Sequence, residues 1–131
     1  MMRSQTAATQ YLQTQVQSRT PLELVVMLYD GAIKHADLAR DALVAGNIPV
    51  RRHALSKLLA IIGELQSTLD MDRGGEIAEQ LDRLYSWAMA RVMDAVVTRD
   101  VTPIDEVRGV LDTLRDAWRT IATNQPVGSQ P

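Results

Sequence analysis

The chain holds 131 residues with a net charge of −2 and 46% hydrophobic side chains, the size and balance of one ordinary globular domain. It contains no Cys, two His and no Phe. That excludes a disulfide framework and a thiolate metal site, and it leaves Leu, Ile, Val, Ala and Met to build a core. Acidic and basic residues are intermixed along the chain, which argues against a nucleic-acid-binding face.

Residues 1–10, MMRSQTAATQ, lack the apolar run of a secretory signal. No apolar stretch approaches the ~20 residues that span a bilayer. The expectation is a cytoplasmic protein without membrane insertion. Residues 1–19 are polar but carry Tyr11, Leu12 and Val16 at the spacing of a short helix. Such a segment either docks on the rest of the chain as a lid or stays frayed.

Thr20-Pro21-Leu22-Glu23 is a helix-start signal: a capping Thr, a Pro where its missing N–H does no harm, and a Glu that completes a capping box. It predicts a first helix over 21–45. Gly46-Asn47-Ile48-Pro49 ends that helix and opens a second over 50–70. Asp72-Arg73-Gly74-Gly75 separates it from a third over 75–99. A repeat of the start signal at Thr102-Pro103-Ile104-Asp105 opens a fourth over 103–123. Residues 124–131, with two Pro, one Gly and one Ser, read as a loose tail. Short connections favour antiparallel neighbours. The fold class expected is therefore all-α: an antiparallel up-down four-helix bundle over 20–123 with a short N-terminal docking segment over 1–19.

Each helix carries one apolar stripe at steps of three and four residues. The first runs Leu22, Val25, Tyr29, Ala32, Ala36, Ala39, Leu43, and the second Leu55, Leu58, Ile62, Leu65, Leu69. The third runs Ile77, Leu81, Leu84, Ala88, Val92, Ala95, and the fourth Ile104, Val107, Leu111, Leu114, Trp118, Ile121. Further apolar residues lie beside these stripes: Leu24, Met27, Leu28 and Leu38 on the first helix, Leu59 and Ile61 on the second, and Tyr85, Met89, Met93 and Val96 on the third. They either widen the core face or line a groove for an amphipathic partner, a role suited to flexible Met side chains.

Catalytic and cofactor chemistry finds no support. No Glu-x-x-His pair supplies a di-metal bundle site, His35 and His53 have no ligand-spaced partner, and Gly74-Gly75 is followed by no Lys-Ser/Thr of a phosphate loop. Neither a catalytic site nor a cofactor is expected. Arg51-Arg52 reads as a solvated basic spot, and Arg91 as an Arg at the bundle edge that snorkels or pairs with a carboxylate.

The order and spacing of several segments resemble the flagellar secretion chaperone family FliS. They are Thr20-Pro21-Leu22-Glu23-Leu24 running into Met27-Leu28-Tyr29-Asp30-Gly31-Ala32, then Ile61-Ile62-Gly63-Glu64-Leu65 with Leu69-Asp70, then Gly75-Glu76-Ile77-Ala78 with Leu81 and Leu84-Tyr85, then Leu114-Arg115-Asp116-Ala117-Trp118. The resemblance spans roughly residues 11–121. It departs at Thr14, where Asn is common, and in the missing Phe residues. It implies a helical bundle that binds the C-terminal segment of flagellin, prevents its premature polymerisation and assists its secretion by the flagellar type III apparatus, with export-gate proteins as further partners and a monomer or weak dimer as the free state. The implied flagellin groove is Leu24, Met27, Leu28, Ile61, Tyr85, Met89, Met93 and Val96, and Tyr11, Leu12 and Val16 are the lid. The competing reading is a generic helical adaptor or homodimerising bundle without flagellin specificity.

Overall fold

The computed structural model describes residues 20–124, which form four helices and no strand. They are α1 (Pro21–Ala45), α2 (Ile48–Ser67), α3 (Gly75–Thr98) and α4 (Val101–Asn124). In cross-section they follow chain order around a ring: α1 packs on α2 and α4, and α3 packs on the same two helices from the other side. All neighbours are antiparallel. Asp37 and Arg40 of α1 meet Arg108 and Asp105 of α4, Gln66 of α2 meets Asp82 and Ser86 of α3, and Arg91 of α3 meets Glu106 of α4. The chain is an all-α up-down bundle.

Local chemistry starts and stops the helices. The Thr20 capping box forms as the sequence predicts: the Glu23 N–H donates to Thr20 Oγ1 at 3.1 Å and the Thr20 N–H donates to Glu23 Oε1 at 2.9 Å. Gly46 stands at φ 74°, the left-handed conformation that glycine adopts without a Cβ clash. From there its N–H donates to Leu43 O at 3.2 Å and the Asn47 N–H donates to Ala42 O at 2.8 Å, closing α1 in a Schellman motif. Asn47 then caps α2 by accepting from the Val50 N–H. Two residues thus end one helix and begin the next. At α4 the expectation shifts by one turn entry: Asp100, not Thr102, is the capping side chain. Its Oδ1 accepts from both the Thr102 N–H and the Thr102 hydroxyl at 3.0 Å, and these bonds hold its carboxyl below the usual range. A carboxylate at the positive end of the helix dipole starts α4 at Val101, two residues earlier than a Thr102 cap would.

The core sets small residues against large ones. α1 buries Ala32, Ala36, Ala39 and Ala42, and α3 buries Ala78, Ala88 and Ala95. The flanking helices supply bulk: Leu55, Leu58, Ile62 and Leu65 from α2, and Ile104, Val107 and Leu111 from α4, all essentially inaccessible. Each such burial is worth about 1.5–3 kcal/mol. Gly31 of α1 lies against α2, where an added Cβ would stand 3.4 Å from Ile61 Cδ1, so α1 and α2 run close together there.

Across the interior, Tyr29 of α1 and Tyr85 of α3 reach along the diagonal of the ring and join by their hydroxyls. Both are buried, and burial is the main reason that both phenols are pushed above their ordinary value; for Tyr85 the bond to Tyr29 adds to it, while for Tyr29 the bonds to Tyr85 and Trp118 oppose it.

Tyr29→Phe removes the partner of the Tyr85 hydroxyl, while Tyr85→Phe leaves the Tyr29 hydroxyl the Trp118 indole, so Tyr29→Phe is expected to cost about 1–3 kcal/mol, Tyr85→Phe less, and the double variant less than their sum, as measured by urea unfolding. The raised phenol values also set a pH dependence. The folded state keeps these protons when the unfolded chain loses them, so their stabilisation is complete below about pH 10 and declines as pH rises further. Unfolding free energy is expected to fall between pH 9 and 11 more steeply in the wild type than in the double Phe variant.

Candidate functional site

The apolar stripes predicted from sequence close into a core on only one side of the tyrosine pair. Between the pair and the two-residue connections Gly46-Asn47 and Arg99-Asp100, the stripe positions are buried or nearly so. On the other side the helices are joined by the longer segment 68–74 and they splay. Leu22 and Val25 of α1, Leu81 of α3 and Trp118 of α4 are only half-buried, and Ile77 and Ile121 are exposed, Ile77 to 66%. Ile77 and Ile121 are thus corrected from core to surface, and Ala78 and Tyr85 take the buried face of α3 instead. Only the first half of the α3 stripe is shifted, by one residue, with Ala78 for Ile77 and Tyr85 for Leu84, while Ala88, Val92 and Ala95 are buried as predicted; the shift favours Tyr85 because its hydroxyl has a partner inside.

This end holds an apolar cavity of about 210 Å³ lined by α1, α3, α4 and the 68–74 connection, with Leu22, Val25, Leu69, Ile77, Leu81 and Trp118 as walls and Tyr85 as floor. Its mouth lies at the start of α1, where residues 1–19 join the described chain. These wall residues all belong to the predicted stripes; what identifies them as surface is the long connection at this end, which gives the stripes no facing layer to close against.

A second groove runs between α2 and α3, about 370 Å³ in volume, with an apolar bed of Leu55, Leu59, Met93 and Val96 and two basic residues, Arg51 and Arg52, at one end. Met93 is 49% exposed there and Val96 is exposed beside it. No acidic residue lines it. Arg51, expected on the solvated surface, is instead 6% exposed.

The predicted groove residues do not share one strip. Met93 and Val96 line the α2–α3 groove, with Met89 half-buried against the core on the same helix. Leu28 and Ile61 pack on the core from the α1 and α2 sides, and Leu24 is half-buried. Met27 is exposed in a polar shallow between α1 and α4 that includes Glu23, Asp30 and Arg119. Tyr85, at 3% exposure, is a core residue and meets the outside only as the cavity floor. Tyr11, Leu12 and Val16 lie outside the described residues.

The remaining charged face is structural. Along the α1–α4 seam, Asp30 pairs with Arg115 and Arg119, Asp37 with Arg108, and Arg40 with Asp105. These exposed pairs add little stability individually, but Asp30, Asp37 and Arg40 match Arg115, Arg108 and Asp105 at the same steps of seven and three residues, which fixes the register of the two helices. Arg91 is an edge residue: it donates to Glu106 at 2.8 Å and to Asp94 at 2.9 Å. His35 donates from Nδ1 to the Gly31 carbonyl at 2.8 Å, a bond within one helix turn. Among the described residues no three His, Asp or Glu side chains gather as a metal site, and no helix is long and apolar enough to cross a membrane.

If the cavity wall is surface, then Ile77→Asp is expected to lower the binding of an apolar fluorescent dye while shifting the unfolding midpoint by no more than a few degrees. A core position would unfold the bundle instead.

The sequence matches the family described as "Flagellar protein FliS" over residues 3–125. It is 37% identical over 112 residues to the flagellar secretion chaperone FliS of Salmonella typhimurium, covering 85% of this chain and 83% of that one. To the flagellar secretion chaperone FliSB of Pseudomonas aeruginosa it is 34% identical over 111 residues, covering 85% and 88%. A solved structure described as a flagellar chaperone from bacteria superimposes with a TM-score of 0.75 at 26% identity, covering 90% of this chain and 96% of that one.

Proposed function

The chain belongs to the FliS family of flagellar secretion chaperones, a family of chaperones and not of enzymes, and on that premise we propose that it binds the C-terminal segment of flagellin in the cytoplasm, prevents its premature polymerisation and presents it to the flagellar type III export apparatus. The observation that supports this reading is apolar surface of two kinds: an end cavity walled by stripe residues that found no partner, and a groove bedded by Met93 and Val96. A folded protein gains nothing from leaving such surface bare; a binding protein uses it to bury the apolar face of an amphipathic helix.

A flagellin segment that orders only on binding gives up conformational entropy at that moment, so it needs a long, mostly apolar contact to offset it. Two separated apolar sites on one rigid bundle supply that length. Met89 and Met93 adapt to a helix whose side chains vary. Leu24, Leu28 and Ile61 form the margin of the proposed surface along α1 and α2, and Met27 lies at its edge. Residues 1–19 are the proposed lid. Val16 precedes Leu22 by few enough residues for its side chain to reach the cavity, and Tyr11 and Leu12 are placed to follow it. In this mechanism the lid covers apolar surface until flagellin displaces it, so export cargo and lid compete for one site.

Calorimetric titration with the C-terminal ~50 residues of the cognate flagellin tests this. Met93→Glu is expected to weaken binding at least tenfold with the fold retained, and deletion of residues 2–17 to raise dye binding of the free protein and tighten cargo affinity. Normal cargo binding by Met93→Glu removes the α2–α3 groove from the site, and unchanged dye binding and affinity on deletion overturns the lid.

A further inference from the structure

Arg51 is the one charged side chain among the described residues that is more than nine-tenths buried. Among the described residues its Nε has no hydrogen-bond partner and it forms no ion pair, whereas Arg40, Arg91, Arg108, Arg115 and Arg119 all pair with carboxylates. A guanidinium in that position is costly: taking a charge out of water is unfavourable unless hydrogen bonds and an opposite charge replace the lost hydration.

The surroundings of Arg51 all favour an anion. It lines the basic end of the α2–α3 groove beside Arg52. It lies in the first turn of α2, where the helix dipole favours negative charge, and that turn holds no acidic residue of its own. The segments outside the described residues cannot supply one as a side chain, since residues 1–20 and 125–131 contain no Asp or Glu. The rest of the groove is apolar apart from Ser56. A ligand that satisfies both ends at once is an amphipathic helix with a carboxylate flanking its apolar stripe.

We propose that Arg51 is a carboxylate receptor: the helix that docks in the α2–α3 groove lays its apolar face on Leu55, Leu59, Met93 and Val96 and places an Asp or Glu side chain against the Arg51 guanidinium, which fixes its direction and register. The inference rests on the functional reading above in taking flagellin as the source of that helix. Apolar contact alone lets a helix slide or reverse; one buried charge-assisted bond at the end of the groove does not. Arg51 is therefore a specificity residue that weakens the free protein in order to recognise its cargo.

Titration of the full chain with the C-terminal flagellin segment, paired with thermal unfolding of the free protein, tests this. Arg51→Met keeps the unbranched stem and removes the charge. It is expected to raise the unfolding temperature of the free protein and to weaken binding about ten- to a hundredfold. On the cargo side, changing each Asp and Glu of the segment to Asn or Gln in turn is expected to reveal one position with a loss of the same size in the wild type and none in Arg51→Met. A wild-type chain that binds while Arg51→Met binds equally, or a segment in which no carboxylate matters, overturns the receptor and leaves the functional reading intact. Failure of the wild type to bind the segment overturns both. A dimer of the free protein that Arg51→Met dissolves assigns the carboxylate to a second copy and overturns the cargo assignment.

Discussion

The structure depends on a bond between two side chains that cross the middle of the bundle. Neighbouring helices in a ring pack directly, but diagonal ones do not touch unless long side chains bridge the interior. Tyr29 and Tyr85 do so, and their buried hydroxyls join each other. A Phe pair would fill the same volume without demanding that α1 and α3 present these residues to each other. The hydroxyls make the demand, because leaving either unpaired in the interior is penalised. The burial of Tyr85 in place of Leu84 and the position of the cavity floor both follow from it.

The pair also divides the bundle into two unlike halves. One half is sewn by two-residue connections and packed with alanines against leucines, and its energy is ordinary core burial. The other half carries the same density of apolar residues but spreads them around an opening. The end cavity thus lies away from the densest packing, whereas the α2–α3 groove runs along the flank of the packed half, from Arg51 at the start of α2 to Met93 and Val96 near the end of α3. A substitution at the cavity mouth then affects recognition with little effect on the fold, while the alanine stripe of α1 tolerates nothing larger. The α1–α4 ion seam lies on a face that neither site uses, so register is maintained without placing charge in the apolar surface.

Much of this was legible in the residues themselves. The capping box at Thr20 and the double role of Gly46-Asn47 depend on bonds within a few residues, and sequence alone identifies them. The four stripes predict the bundle because periodicity reports which face of a helix is apolar. Periodicity does not report where a stripe stops being covered, which is why Ile77 and Ile121 read as core, nor does it reveal that Tyr85 turns inward to a partner 56 residues away. Asp100 and Thr102 are both good caps, and only the competition between them in three dimensions selects the carboxylate. Arg51-Arg52 reads as a surface dipeptide because adjacent helical residues are 100° apart; which of the two points inward depends on α3 lying alongside. The seam was legible in part, for Asp30 and Asp37 share the spacing of Arg108 and Arg115, but the match becomes visible only when α1 and α4 are known to be neighbours.

Trp118 forms part of the cavity wall while its indole approaches the buried phenol of Tyr29, and the chain's other tryptophan, Trp87, sits on α3 away from that lining. The protein therefore contains its own optical reporter. Light absorbed by the buried tyrosines passes to the nearby indole, and the colour of the indole's emission shifts toward blue when water leaves its surroundings. Occupancy of the cavity, by whatever segment fills it, is readable in real time from unlabelled protein, with Trp87→Tyr silencing the background.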